Sequence, residues 1–129
     1  MTHPLAGKRA LIVEDEYLVA MNIVAEVAAR GSVAVGPAAT VDGALKAIKN
    51  ADVDGAIVDI NLRGKLCFPV ADARADRHIP FVFATGYTIA QVPGRHANVP
   101  RFEKRTAPGV ICRALEDAME SGGDGSPRG

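Results

Sequence analysis

The sequence predicts a doubly wound α/β domain, a five-stranded parallel sheet with helices on both faces. Three observations carry that expectation. Short apolar runs rich in β-branched residues alternate along the chain with segments whose apolar residues recur at a 3.6-residue period. The inner runs are apolar without alternation, as strands covered on both faces require. Acidic, hydroxyl and basic residues follow the ends of those runs, where the loops of a parallel sheet converge.

The elements follow in order. Residues 9–13 (RALIV) form the first strand, which stops at Glu14, Asp15 and Glu16. Ala20, Ile23, Val24, Val27 and Ala28 then lie on one stripe of a helix, with Gly31 placed to end it. Residues 32–35 read as a second strand leading to Gly36 and Pro37, and Thr40 caps a helix with the stripe Val41, Ala44, Leu45 and Ile48. Residues 55–60 (GAIVDI) and 80–84 (PFVFA) are central strands; between them 66–77 is helical, with Pro69 in its first turn or at a kink. Residues 100–104 (PRFEK) read as a fifth strand whose polarity places it at an edge. Ile111, Ala114, Leu115, Ala118 and Met119 mark the last helix, with Pro108 near its start and Gly122 beyond its end. The segment 88–99 holds Pro93 and Gly94 and has no apolar stripe, so the fourth helix is expected to be short or irregular. One domain over 1–120 and a flexible polar tail over 121–129 complete the chain.

Composition narrows the function. The 129 residues carry 15 Lys plus Arg against 15 Asp plus Glu, so binding to nucleic acid through overall charge is not expected. No apolar run approaches the ~18 residues of a membrane span, and residues 1–10 lack the apolar core of a signal peptide. A cytoplasmic protein is expected. Cys67 and Cys112 have no metal-binding spacing and read as reduced thiols, Cys112 in a helix face. His3, His78 and His96 read as surface residues, since no second ligand stands at metal-binding spacing to any of them.

The strand ends bring together Glu14, Asp15, Asp59, Thr85 and Lys104. Acidic residues at a helix start can serve capping alone, and a lysine beside a polar strand can be plain surface. Asp59 is different: a carboxylate at the end of a fully buried run is costly unless paired or metal-bound. Crowded carboxylates imply a cation, and hard oxygen donors with few protein contacts favour Mg²⁺. Asp59 is then placed to act as a nucleophile toward a phosphoryl group whose charge the metal and Lys104 neutralise, while Thr85 donates a hydrogen bond.

With these residues in place, the chain over residues 8–119 resembles the receiver domain of two-component response regulators. LIVEDE matches the family's acidic metal-binding pair at Glu14 and Asp15; VDINLRG carries Asp59 at the phospho-acceptor position, with the backbone carbonyl of Asn61 in the metal shell. FATGY, at positions 83–87 within PFVFATGY, is similar to the subgroup nicknamed FAT GUY, often stand-alone receivers served by HWE or HisKA_2 type histidine kinases in alphaproteobacteria. The resemblance implies a flavodoxin-like (βα)5 fold, Thr85 as the switch hydroxyl, Lys104 as the family lysine, and Mg²⁺. It implies a phospho-accepting domain that catalyses only its own phosphorylation and dephosphorylation, with a histidine kinase as donor and a downstream protein or phosphotransfer partner. Its output would be altered protein contacts within a phosphorelay.

The sequence departs from the family where Arg105 replaces the usual proline after the lysine, which disfavours a cis bond by ~3 kcal/mol. Arg101 also stands where an aromatic switch residue is usual, with Phe102 beside it. Phosphorylation is therefore expected to order residues 88–99 rather than rotate one aromatic ring. A phosphorylation-independent adaptor is the alternative that the intact residue set argues against. A phosphohydrolase would want an acid where Asn61 stands. A flavin phosphate would want glycine and hydroxyl donors where the first loop is acidic. Residues 95–105 hold four basic side chains against Glu103, a patch that reads first as solvated surface and otherwise as a site for an acidic partner.

Overall fold

The computed structural model describes residues 3–85 and 92–120. Its strands and helices run β1 (Arg9–Val13), α1 (Tyr17–Ala29), β2 (Val33–Ala38), α2 (Val41–Asn50), β3 (Gly55–Asp59), β4 (Asn61–Leu62), β5 (Lys65–Leu66), α3 (Phe68–Asp76), β6 (Phe81–Thr85), β7 (Arg101–Glu103) and α4 (Pro108–Glu120), with a single 3-10 turn at Gly94–His96 before β7. The main sheet has the order β2-β1-β3-β6-β7, every pair parallel. This is the doubly wound, flavodoxin-like arrangement that the alternating pattern predicts.

Successive strand residues point to opposite faces, and the two cores divide accordingly. Leu11, Val13, Ala56, Val58, Phe81 and Phe83 pack with α2 and α3 on one face. Ala10, Ile12, Ile57, Val82 and Ala84 pack with α1 and α4 on the other. β3 and β6 are buried at every position, which is why their runs show no polar alternation. Gly55 lets α4 close on the sheet: a Cβ there would stand 3.2 Å from Leu115. Thr40 caps α2 as its position predicts, its hydroxyl accepting from the Gly43 amide at 3.0 Å.

Several boundaries differ from expectation. β2 does not stop before Gly36 and Pro37 but continues to Ala38, with a register break opposite Leu11 and Val13. β2 lies at the sheet edge, where a proline without an amide proton is tolerated. Gly36 sits at φ +93°, where a Cβ would crowd Ala38 and Ile12, and Gly36–Pro37 is the cis peptide among the described residues. β3 ends at Asp59, and the chain then makes a small hairpin, β4 with β5, whose turn holds Arg63 at φ 52° and Gly64 at φ 87°. That hairpin takes Leu66 out of the expected helix, so α3 starts at Phe68 with Pro69 in its first turn. β6 runs to Thr85, one residue further than expected, and β7 is the edge strand that its polarity predicts.

Within the expected irregular segment, residues 92–99 carry only the 3-10 turn, while 88–91 lie outside the described residues. The tail 121–129 also lies outside them. Both cysteines are buried free thiols, Cys67 pushed up to about 12 and Cys112 to about 11, in each case chiefly by burial. No helix among the described residues is long and apolar enough to cross a membrane.

Candidate functional site

Glu14, Asp15, Asp59 and Lys104 meet at one end of the sheet, with Thr85 at the adjoining strand end, because β1, β3, β6 and β7 all end there. Val13 closes β1, and the next amide, of Glu14, donates to the Ala38 carbonyl at 2.9 Å, so the acidic loop is tied to the end of β2. Asp59 is the last residue of β3 and Thr85 the last of β6. The Lys104 amide donates to the Thr85 carbonyl at 2.8 Å, extending the β6–β7 ladder by one bond and aiming the lysine back over the sheet end.

Lys104 is the hub. Its Nζ lies 2.8 Å from Asp59 Oδ2, 3.0 Å from Glu14 Oε2 and 4.0 Å from Asp15 Oδ1, and it also donates to Glu16 Oε1. Asp59 Oδ1 accepts from the Asn61 amide at 3.1 Å, and Glu14 Oε2 accepts from the Glu16 amide at 2.8 Å. Asp59 and Glu14 are 1% and 3% exposed, so these bonds carry much of what solvent would otherwise supply. They do not supply all of it. Glu14 Oε1 has no hydrogen-bond partner, and the lysine approaches Asp59 Oδ2 outside hydrogen-bonding angles, leaving that oxygen in ionic contact only.

Electrostatics follow from the crowding. Burial, reinforced by the Asp59 charge, lifts Glu14 to about 7 against the pull of the Glu16 amide and Lys104. Burial likewise raises Asp59, opposed by Lys104 and the Asn61 amide. Desolvation works to lower Lys104, but its contacts with the Asp59, Glu16 and Glu14 carboxylates outweigh that and hold it above its ordinary value. Glu14, Asp15 and Asp59 each offer an oxygen within 4.8 Å of the others. Carboxylates this close, two of them buried with an oxygen that has no hydrogen bond, fit a hard cation.

Sequence reasoning missed four residues. Glu16 adjoins the acidic pair and shares Lys104, as its place in the EDE run could have signalled. Arg63, on the unexpected hairpin, brings Nε to 3.8 Å from Asp15 Oδ2; the Asn61-x-x-Gly64 spacing was the available cue, since Asn61 Oδ1 accepts from the Gly64 amide at 2.7 Å. Asp72 and His96 form the other omission. His96, expected at the surface, is 2% exposed: its ring stacks on Phe68 and its Nε2 lies 2.8 Å from Asp72 Oδ1. His3 and His78 are exposed as expected.

The expected basic patch is divided. Arg95 is bound by Asp72 and Lys104 lies in the acidic cleft, which leaves Arg101 and Arg105 exposed. Arg101 pairs with Phe83 and so lies on the Thr85 face of the sheet, whereas Phe102 turns to the opposite core.

A doubly wound sheet with an acidic cleft beyond the carboxyl ends of its strands places the cluster where open α/β domains bind their ligands. No protein-family model and no curated protein matches the chain. Solved structures do. SdrG from Sphingomonas melonis Fr1 is 39% identical, with 91% of this chain and 98% of that one covered and a TM-score of 0.77. The PhyR receiver domain from Erythrobacter litoralis (23% identity, 96% and 97% covered, TM-score 0.79) and a CheY-like receiver from Methanospirillum hungatei JF-1 (22%, 88% and 94%, 0.77) share the fold. The chain belongs to the receiver-domain family of response regulators.

Proposed function

We propose that this protein is a single-domain response regulator of the FAT GUY type, cytoplasmic, that accepts a phosphoryl group on Asp59 and signals through altered protein contacts in a phosphorelay. The observation that carries the reading is the crowding of buried Asp59 and Glu14 around one lysine, with Glu14 Oε1 left without a hydrogen-bond partner and Asp59 Oδ2 held by ionic contact alone. In a purely structural cluster such oxygens would be hydrogen-bonded.

Each residue then has a role. Asp59 attacks phosphorus with a carboxylate oxygen as the bond from phosphorus to the donor imidazole or small-molecule oxygen breaks. Lys104, already in contact with that carboxylate, neutralises charge on the incoming group, and Thr85 at the end of β6 donates to one of its oxygens. Glu14, Asp15, Asp59 and the backbone carbonyl of Asn61 would hold Mg²⁺. When bound, the ion supplies charge neutralisation for the phosphoryl oxygens. The donor is a histidine kinase of HWE or HisKA_2 type, and a downstream protein or phosphotransfer partner receives the signal. Similarity to SdrG along nearly the whole chain supports the receiver reading.

Incubation with Mg²⁺ and acetyl phosphate should add the mass of one phosphoryl group, and Asp59→Asn should abolish the gain. No gain in the wild-type protein from acetyl phosphate or from a phosphorylated kinase of that type would overturn the reading.

A further inference from the structure

Residues 92–99, which carry the 3-10 turn before β7, are fastened to α3 by a cluster outside the acidic cleft. Asp72 on α3 takes two bonds from Arg95, Nε to Oδ1 at 2.7 Å and Nη2 to Oδ2 at 3.1 Å, and its Oδ1 also lies 2.8 Å from His96 Nε2. A carboxylate only accepts, so Nε2 carries the proton. His96 Nδ1 is left buried without a partner. Packing alone gives no use for an imidazole here, because an apolar side chain would fill the space without an orphaned nitrogen. The bond to Asp72 does, and Arg95 and His96 together hold the Asp72 carboxyl below its usual range.

Two routes join this cluster to Thr85. Along the chain, residues 86–91 separate Thr85 from the segment that contains the turn. Through the core, Phe83 lies two residues before Thr85 on the same face of β6. Its ring meets Phe68 edge-on at 6.2 Å, and Phe68 stacks on His96 at 6.2 Å with 12° between the planes. Arg101, beside Phe83, offers no ring to occupy that face.

We propose that Asp72 is a positioning residue, a latch that acts through Arg95 and His96 to hold the 92–99 segment against α3 and to make it answer to events at Thr85. The coupling to Thr85 rests on the receiver reading; the latch itself does not.

Amide hydrogen exchange at Ala97 and Val99, whose protons bond to the Gly94 and His96 carbonyls, tests both parts. In the unmodified protein, Asp72→Ala should speed exchange there by about tenfold or more, the exposed-side variant Arg95→Ala by less, and Asp72→Glu should restore protection. Acceleration below about twofold in both alanine variants overturns the latch. With Mg²⁺ and beryllofluoride, exchange at these amides should change in the wild type and not in Asp72→Ala, while ¹⁹F NMR shows the analogue bound equally to both. An equal exchange response in the two proteins, or none in a wild type that binds the analogue, overturns the coupling. A wild type that does not bind it overturns the coupling together with the phospho-acceptor reading, and the unmodified-protein arm still decides the latch.

Discussion

Helix α1 has a buried carboxylate near each end, and the two are treated in opposite ways. Beyond its C-terminus, Glu116 is 2% exposed and both its oxygens are used. Oε1 accepts from Arg30, and Oε2 accepts from the Leu5 amide at 3.2 Å with His3 Nδ1 at 3.7 Å. Arg30 is equally committed, to Glu26 at 2.8 Å and the Gly109 carbonyl at 3.1 Å, and these carboxylates outweigh burial and raise its pKa. A cation at a helix C-terminus and acids at the N-terminus both suit the helix dipole. At the N-terminus, however, four carboxylates crowd one lysine, leaving Glu14 Oε1 without a hydrogen bond and Asp59 Oδ2 with an ionic contact alone. A closed network ties the N-terminal segment, α1 and α4 together; an open one stores unmet electrostatic demand for something that arrives later.

The same chemical change at the two ends gives the largest contrast. Glu116→Gln leaves Arg30 partly uncompensated in a buried site and should cost about 3 kcal/mol in urea unfolding. Asp59→Asn removes a charge from a crowded cluster and should be neutral or stabilising. Equal losses in the two variants would break the comparison.

Proton linkage sharpens it next. Glu14 is raised in the folded state from 4.5 to about 7, so the native protein binds more protons than the unfolded chain across that window. Stability should be fully present below the unfolded value and fall as pH rises through the window, by roughly 3 kcal/mol. Glu14→Gln should flatten the slope, and so should saturating Mg²⁺, which favours the ionised form. A slope that persists in Glu14→Gln places the cost elsewhere in the cluster.

How far these networks were legible in the sequence depends on what encodes them. Strand order and the cleft were readable because β-branched runs and strand-end residues are local signals: GAIVD buries every side chain, and Asp59 at its end stands out against that pattern. Glu116 was not, because on α4 it reads as a solvent-facing charge; only the approach of Arg30, 86 positions away, makes it buried. His96 hid likewise, since its neighbours Pro93 and Gly94 signal a loop and its partners Phe68 and Asp72 lie on α3. The continuation of β2 through Gly36 and Pro37 was missed because proline usually ends strands, and its edge position is a property of the sheet.

The smallest effect lies at the hairpin, where the open cluster meets solvent. Arg63 is 69% exposed and 3.8 Å from Asp15, so as an ion pair it should be worth no more than about 0.5 kcal/mol. Its backbone matters more, because φ 52° is costly for a residue with a Cβ by about 1 kcal/mol. Arg63→Ala removes the charge and keeps the strain, and should leave stability within about 0.5 kcal/mol. Arg63→Gly removes both and should stabilise by up to about 1 kcal/mol, less the extra freedom glycine gives the unfolded chain. Mg²⁺ titrations separate the remaining contribution: both variants should bind the ion somewhat more tightly, having lost a cation that competes for Asp15. If only the glycine variant gained affinity, the hairpin's geometry rather than its charge would govern the cleft, and the demand stored there would be less electrostatic than the contrast with Glu116 implies.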